Sequence, residues 1–131
     1  GELNEGSTWE AALFIAHHNF KNICWLIDRN ELQGFGRTEE VMKLEPLDKK
    51  LSAFGFDVQS INGHDFDELN SVKQKYITAD KPMAIICNTV KGNGWMQKQN
   101  QLDCHYLSFT EAEYKEMLNA IDAELKNTLS L

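Results

Sequence analysis

An Asp28-Arg29-Asn30 run closes an apolar stretch that begins near Asn22. That stretch reads as a strand, and ligands of open α/β sheets bind beyond the carboxyl ends of their strands. An asparagine there offers a neutral amide oxygen, and a nearby backbone carbonyl offers a second oxygen. Magnesium takes oxygen ligands in near-octahedral geometry, often shared with phosphates. Asn30 could therefore hold a hard cation. Asp and Asn are equally at home in a plain turn, and spacing alone leaves both readings open. Cys104-His105 is a second pair that could do chemistry, as a nucleophile and its base. Sequence neighbours rarely point at each other usefully, so an inert loop pair is the competing reading. His17 and His18 end a helix, where a cation is favourable. His64 precedes a helix cap, and all three histidines read as structural.

Three short segments must position these residues: Asn22–Asp28, Phe56–Ile61 and Pro82–Thr89, all strand-like. The first and third are apolar on both faces, as in a covered parallel sheet. The second alternates, with Asp57 and Gln59 around Val58, and should be less covered. Four helices are expected. One runs from about Thr8 to His18, with Ser7 and Glu10 forming a capping box. One covers Pro46–Phe54 and stops at Gly55. A third starts after Asp65 with Glu68 three residues on. A fourth starts after Thr110 with Glu113 in the same place, and runs to about Lys126. Alternating helices and strands predict βαβ units and a parallel sheet. Lys91–Tyr106 has no periodicity, contains Gly92 and Gly94, and reads as a long functional loop.

At 131 residues and 42% apolar composition, the chain can bury a real core as one domain of ordinary size. A formal charge of −7 argues against nucleic acid or an anionic membrane as partner. No apolar run approaches the roughly 18–20 residues of a membrane span, and no signal peptide is visible. Cys24, Cys87 and Cys104 are odd in number and widely spaced. The first two sit in apolar runs as small core residues. The pattern speaks against disulfides and for a reducing cytoplasm. The first helix carries a broad apolar surface in Trp9, Ala12, Leu13, Ile15 and Ala16, more than a small sheet need bury.

Several short segments occur in a distinctive order: Gly1-Glu2-Leu3-Asn4-Glu5-Gly6, Trp9-Glu10-Ala11-Ala12, His17-His18, Asp28-x-Asn30 and Leu32-Gln33. Gly36-Arg37-Thr38-Glu39, Leu44-Glu45-Pro46-Leu47, Ala53-Phe54-Gly55, Gly63-His64-Asp65 and Thr89-Val90-Lys91-Gly92-x-Gly94 continue the series. Together they resemble transketolases and cover most of the chain up to Gly94. The resemblance makes Gly1 the last glycine of a Gly-Asp-Gly motif, whose metal-binding Asp would stand just before the first residue. It implies a three-layer α/β fold of the thiamine diphosphate-binding type. Residues 1–131 would be its diphosphate-side domain, with the beginning of that domain outside the sequence.

The resemblance also implies roles. Gly1 would let its backbone approach the diphosphate of thiamine diphosphate. Asn30 and the carbonyl of Leu32 would hold Mg2+ or Ca2+. Glu5 and Glu10 would match a pair of acids near the subunit interface that link two active sites through protons. His105 would contact the diphosphate and the substrate. The implied activity is transfer of a two-carbon ketol unit between sugar phosphates. The ring-activating Glu of the family lies in a pyrimidine-binding domain that nothing here matches. A homo-oligomer such as a dimer, or a partner subunit, would have to supply it, so the chain alone would be an incomplete transferase. Departures fall near the expected substrate entrance: Tyr106 after the loop histidine, Gly34-Phe35-Gly36, Phe109, and a poor match over Trp95–Cys104. Another thiamine diphosphate enzyme acting on pyruvate, or a non-catalytic assembly module of the same fold, are the alternatives.

Overall fold

The structure is a computed structural model and describes residues 1–129. The chain forms two compact units, Gly1–Thr89 and the remainder from Val90.

In the first unit, a short 3-10 turn, Glu2–Asn4, leads into helix α1, Gly6–His17. Strand β1 is Cys24–Arg29, followed by a two-residue hairpin, β2 Leu32–Gln33 and β3 Gly36–Arg37. A single helical turn α2, Thr38–Val41, precedes α3, Leu47–Phe54. Strand β4 is Asp57–Asn62, helix α4 is Phe66–Ile77, and strand β5 is Met83–Asn88. The three expected strands therefore exist within two residues of their expected ends. They form one parallel sheet in the order β1-β5-β4.

Strand β5 is central, and its side chains from Met83 to Ile86 are buried. Alternation splits them between two cores. Ala84 and Ile86 join Ile27, Ala12, Leu47, Leu51 and Phe56 under α1 and α3. Met83 and Ile85 join Ile61 and Val72 under α4. The result is the expected three layers, with helices on both faces of the sheet. Leu51 is 0% exposed; burying such a side chain contributes about 1.5–3 kcal/mol.

One expectation for β1 fails. Leu26 is 63% exposed, so this strand is not covered on both faces. It is a sheet edge, where the α4-side core of Ile61, Met83 and Ile85 reaches β1 at Cys24. The apolar surface expected on α1 is divided. Ala12 is buried, Trp9, Ile15 and Ala16 pack against the core, and Leu13 and Phe14 remain 53% and 58% exposed.

The capping box expected at Ser7 and Glu10 is absent. The helix already begins at Gly6 with Glu5 in the cap position and no side-chain cap. The preceding 3-10 turn feeds straight into it: the Thr8 hydroxyl donates to the Glu2 carbonyl at 3.0 Å. The Trp9 indole N–H donates to the Leu3 carbonyl at 2.9 Å. At α4, Asp65 is the cap and accepts from the N–H groups of Asp67 and Glu68. The Glu68 carboxylate turns instead to the Asn62 N–H at 2.8 Å. Helix α3 ends as expected, with Gly55 at φ 112° in the left-handed region that an L side chain resists.

The second unit opens with turns through residue 101, a 3-10 turn at Leu102–His105, and helix α5, Glu111–Leu129. Its capping box is formed as expected. The Thr110 N–H donates to Glu113 Oε2 at 2.9 Å, and the Glu113 N–H donates to Thr110 Oγ1 at 3.2 Å. Trp95 is buried and meets Phe109 edge-on at 5.1 Å. No described helix is long and apolar enough to cross a membrane.

Candidate functional site

The parallel register brings three strand ends into line: Arg29 pairs with Asn88, and Asn88 pairs with Asn62. The Asn88 side chain then ties all three strands. Its Oδ1 accepts from Arg29 Nη1 at 3.0 Å, and its Nδ2 donates to Ser60 Oγ and the Ile61 carbonyl, each at 3.0 Å. The turn that leaves β1 is built on this edge.

That turn is held at both ends of the Asn30 amide. Asn30 Nδ2 donates to Asp28 Oδ2 at 3.1 Å, and Asn30 Oδ1 accepts from the Leu32 N–H at 3.0 Å. The Thr89 hydroxyl donates to the other oxygen of Asp28. Between Asn30 and Leu32, Glu31 adopts φ 63°, a conformation uncommon for a residue with a Cβ. Arg29 anchors the turn from behind. Its Nε donates to Glu45 Oε1 at 2.7 Å, and its Nη1 stands 3.2 Å from Glu31 Oε1. The Leu47 N–H and the Arg29 guanidinium hold the Glu45 carboxyl below the usual carboxylate range. Glu39 in turn accepts from the N–H groups of Leu44 and Glu45 at 2.8 and 3.2 Å.

Of the residues expected at a site, Asn30 and Leu32 share one turn, and Gly1 approaches the tip of the side chain that follows Leu32. A Cβ on Gly1 would come 3.5 Å from Oε1 of Gln33, the residue after Leu32. In the same opening turn, Asn4 keeps a buried Nδ2 without a hydrogen-bond partner, a donor an anion's oxygen would satisfy. Glu5 and Glu10 are exposed at the start of α1. His105 belongs to the second unit, where it is exposed and meets the Tyr106 ring edge-on at 4.7 Å. The Cys104-His105 reading as nucleophile and base gains no geometry: the Cys104 thiol donates to the Lys98 carbonyl at 3.0 Å. Around it, Lys98 Nζ lies 2.8 Å from Asp103 Oδ2 and 3.7 Å from Glu113 Oε1. The hydrogen bond between Lys98 and Asp103 is the first cause raising the lysine and lowering Asp103, whereas Glu113 is lowered first by the hydrogen bonds it takes from Thr110. Cys24 and Cys87 are pushed up by burial, as core thiols are.

The donor set fits a hard cation. Among the described residues no three His, Cys, Asp or Glu side chains converge to hold a metal ion. The Asn30 amide oxygen takes one hydrogen bond and has a second lone pair, and its amide is oriented by partners at both ends. Amide and carbonyl oxygens suit magnesium or calcium rather than zinc. Two features had no sequence signal. The β2–β3 hairpin and α2 are too short to show periodicity. The Asp28–Thr89 and Arg29–Glu45 contacts join residues far apart in sequence.

Residues 1–129 match the family described as transketolase, thiamine diphosphate binding domain. The 6-deoxy-6-sulfo-D-fructose transketolase subunit SqwG of a Clostridium species is 38% identical over 125 residues, 95% of this chain and 46% of that protein. An apulose-4-phosphate transketolase subunit from Actinobacillus succinogenes is 40% identical over 94 residues, covering 72% of this chain and 34% of its own. The chain thus spans less than half the length of these relatives. The transketolase of Campylobacter jejuni shares the fold, with a TM-score of 0.72 over 99% of this chain and 25% of its own, at 23% identity. With the parallel three-layer sheet and an oxygen-donor turn at its carboxyl edge, the match over nearly the whole chain shows that it belongs to the transketolase family, through the thiamine diphosphate binding domain.

Proposed function

We propose that the complete protein is a subunit of a transketolase that moves a two-carbon ketol unit between sugars bearing a terminal anion, sugar phosphates in the first instance. In this reading residues 1–131 form the diphosphate-side domain. A partner subunit, or a second copy in a dimer, brings the pyrimidine-binding domain. The relatives above are named as subunits, which supports a divided enzyme. The enzyme would work in the cytoplasm, with no nucleic acid or membrane as partner.

Bound thiamine diphosphate would supply the carbon nucleophile; the protein supplies position and electrostatics. Asn30 Oδ1 and the Leu32 carbonyl would hold Mg2+, or Ca2+ in its place, with a further acidic ligand from outside this sequence. Gly1 would let its backbone approach the diphosphate. His105 would reach the diphosphate and substrate, and Glu5 and Glu10 would lie toward the partner. The exposed Leu13 and Phe14 on the same helix suit a covered interface.

The observation that carries this reading is the Asn30 turn, whose amide oxygen is fixed at the carboxyl edge of a parallel sheet. Calorimetry on the complete protein with its partner tests it. Asn30→Ala should weaken Mg2+-dependent thiamine diphosphate binding by roughly an order of magnitude or more. Unchanged affinity overturns the assignment.

A further inference from the structure

An asparagine amide has a right end and a wrong end for a cation. Its oxygen can ligate; its NH2 group, nearly the same size and shape, presents hydrogens instead. A ligand asparagine therefore needs partners that distinguish the two ends. In this chain the distinction is made by a carboxylate two residues earlier. Asp28 Oδ2 accepts from Asn30 Nδ2 at 3.1 Å, and an ionised carboxylate can only accept. The reversed amide would set two oxygens against each other there, and would set its NH2 against the Leu32 N–H that now donates at 3.0 Å. Asp28 is itself steadied by the Thr89 hydroxyl, which donates to its other oxygen. Register places this group directly across the sheet, with Asp28 beside Cys87 on β5 and Thr89 just beyond that strand.

We infer that Asp28 is a positioning residue, which turns the Asn30 amide so that its oxygen rather than its nitrogen faces the ion. This rests on the proposed role of Asn30 as metal ligand and adds the reason that ligand is correctly turned. Leu32 contributes a second orienting contact through its N–H, which also favours the oxygen, and Asp28 adds to it the contact that a neighbour accepting either end would lose. Asparagine at position 28 is such a neighbour: it can flip its own amide and pair with Asn30 in either orientation. The nearly isosteric Asp28→Asn change therefore removes the carboxylate's share of the orienting preference while leaving the Leu32 N–H, the volume and the hydrogen-bonding capacity in place.

The test uses Mn2+ binding to the complete protein with its partner and saturating thiamine diphosphate, read by the electron paramagnetic resonance of the free ion. D28N should weaken Mn2+ binding about tenfold or more. The discriminating measurement repeats the change in an Asn30→Asp background. A carboxylate has no wrong end, so D28N should there cost nothing, and should improve affinity by relieving repulsion from Asp28. A merely structural role would lower affinity alike in both backgrounds, and that result overturns the inference. No loss in D28N while Asn30→Ala does weaken Mn2+ binding overturns the positioning role and leaves the proposed function standing. No loss in Asn30→Ala overturns both.

Discussion

Gly63 lies so close to Thr89 that a Cβ added at position 63 would stand 2.5 Å from the Thr89 methyl carbon and 3.0 Å from Cys87 Cβ. The strands β4 and β5 end side by side here, with the Gly63 N–H donating to the Asn88 carbonyl at 2.8 Å. Space rather than backbone freedom requires this glycine. Gly63→Ala should cost about 1–3 kcal/mol by overpacking, measured by urea denaturation. Thr89→Ser removes the obstructing methyl group and retains the hydroxyl that serves Asp28. In that background the alanine should cost less. An equal cost in both would locate the strain elsewhere.

Glu31, at φ 63°, should respond in opposite directions to two substitutions. Glycine adopts this conformation freely, so Glu31→Gly should be stabilising by up to about 1 kcal/mol. The ion pair it loses, at 3.2 Å from Arg29, is exposed and contributes little. Glu31→Val places a β-branched residue in the left-handed region and should destabilise by about 1–3 kcal/mol. Denaturation midpoints decide the matter. A valine variant as stable as wild type would show that the turn does not hold this backbone.

Glu45 gives the turn a pH dependence. Its carboxyl is held below the ordinary value of 4.5, first by the Leu47 N–H and then by Arg29. A folded value below the unfolded one means stability that is present above about pH 4.5 and lost as the pH falls through the folded value. The wild-type protein should lose stability in that acid window more steeply than a Glu45→Gln variant. Thermal melts across the window measure it. Identical acid slopes would show that the anchor contributes no linkage.

Much of this architecture was legible because periodicity is a local property. Cys24–Arg29 and Met83–Asn88 show apolar runs and Asp57–Asn62 an alternation within six residues each, Asp65 and Thr110 mark helix starts by side-chain chemistry, and Gly55 marks a helix end by its lack of a side chain. Ser7 misled because a 3-10 turn ahead of it started the helix early, which no capping rule foresees. Strand β1 misled because apolar composition does not say whether a layer covers it. At the site, the turn at Asn30 and Leu32 was legible through position after a strand and through resemblance. Asp28 was visible but without a role, since its partner Thr89 is reached only through the sheet register.

The strand order β1-β5-β4 has a consequence for how this protein is made. Cys24 and Asp57 both pair with Met83, and neither of their strands pairs with the other. On the ribosome, two strands and the three helices that cover this sheet emerge before the one strand that unites them. Until Asn88 is synthesised, nothing aligns the end of β1 with the end of β4, and Asp28 has no Thr89. The Asn30 turn therefore takes its final form late, and the nascent chain spends that interval with apolar strand edges unpaired. Such edges are open to wrong partners.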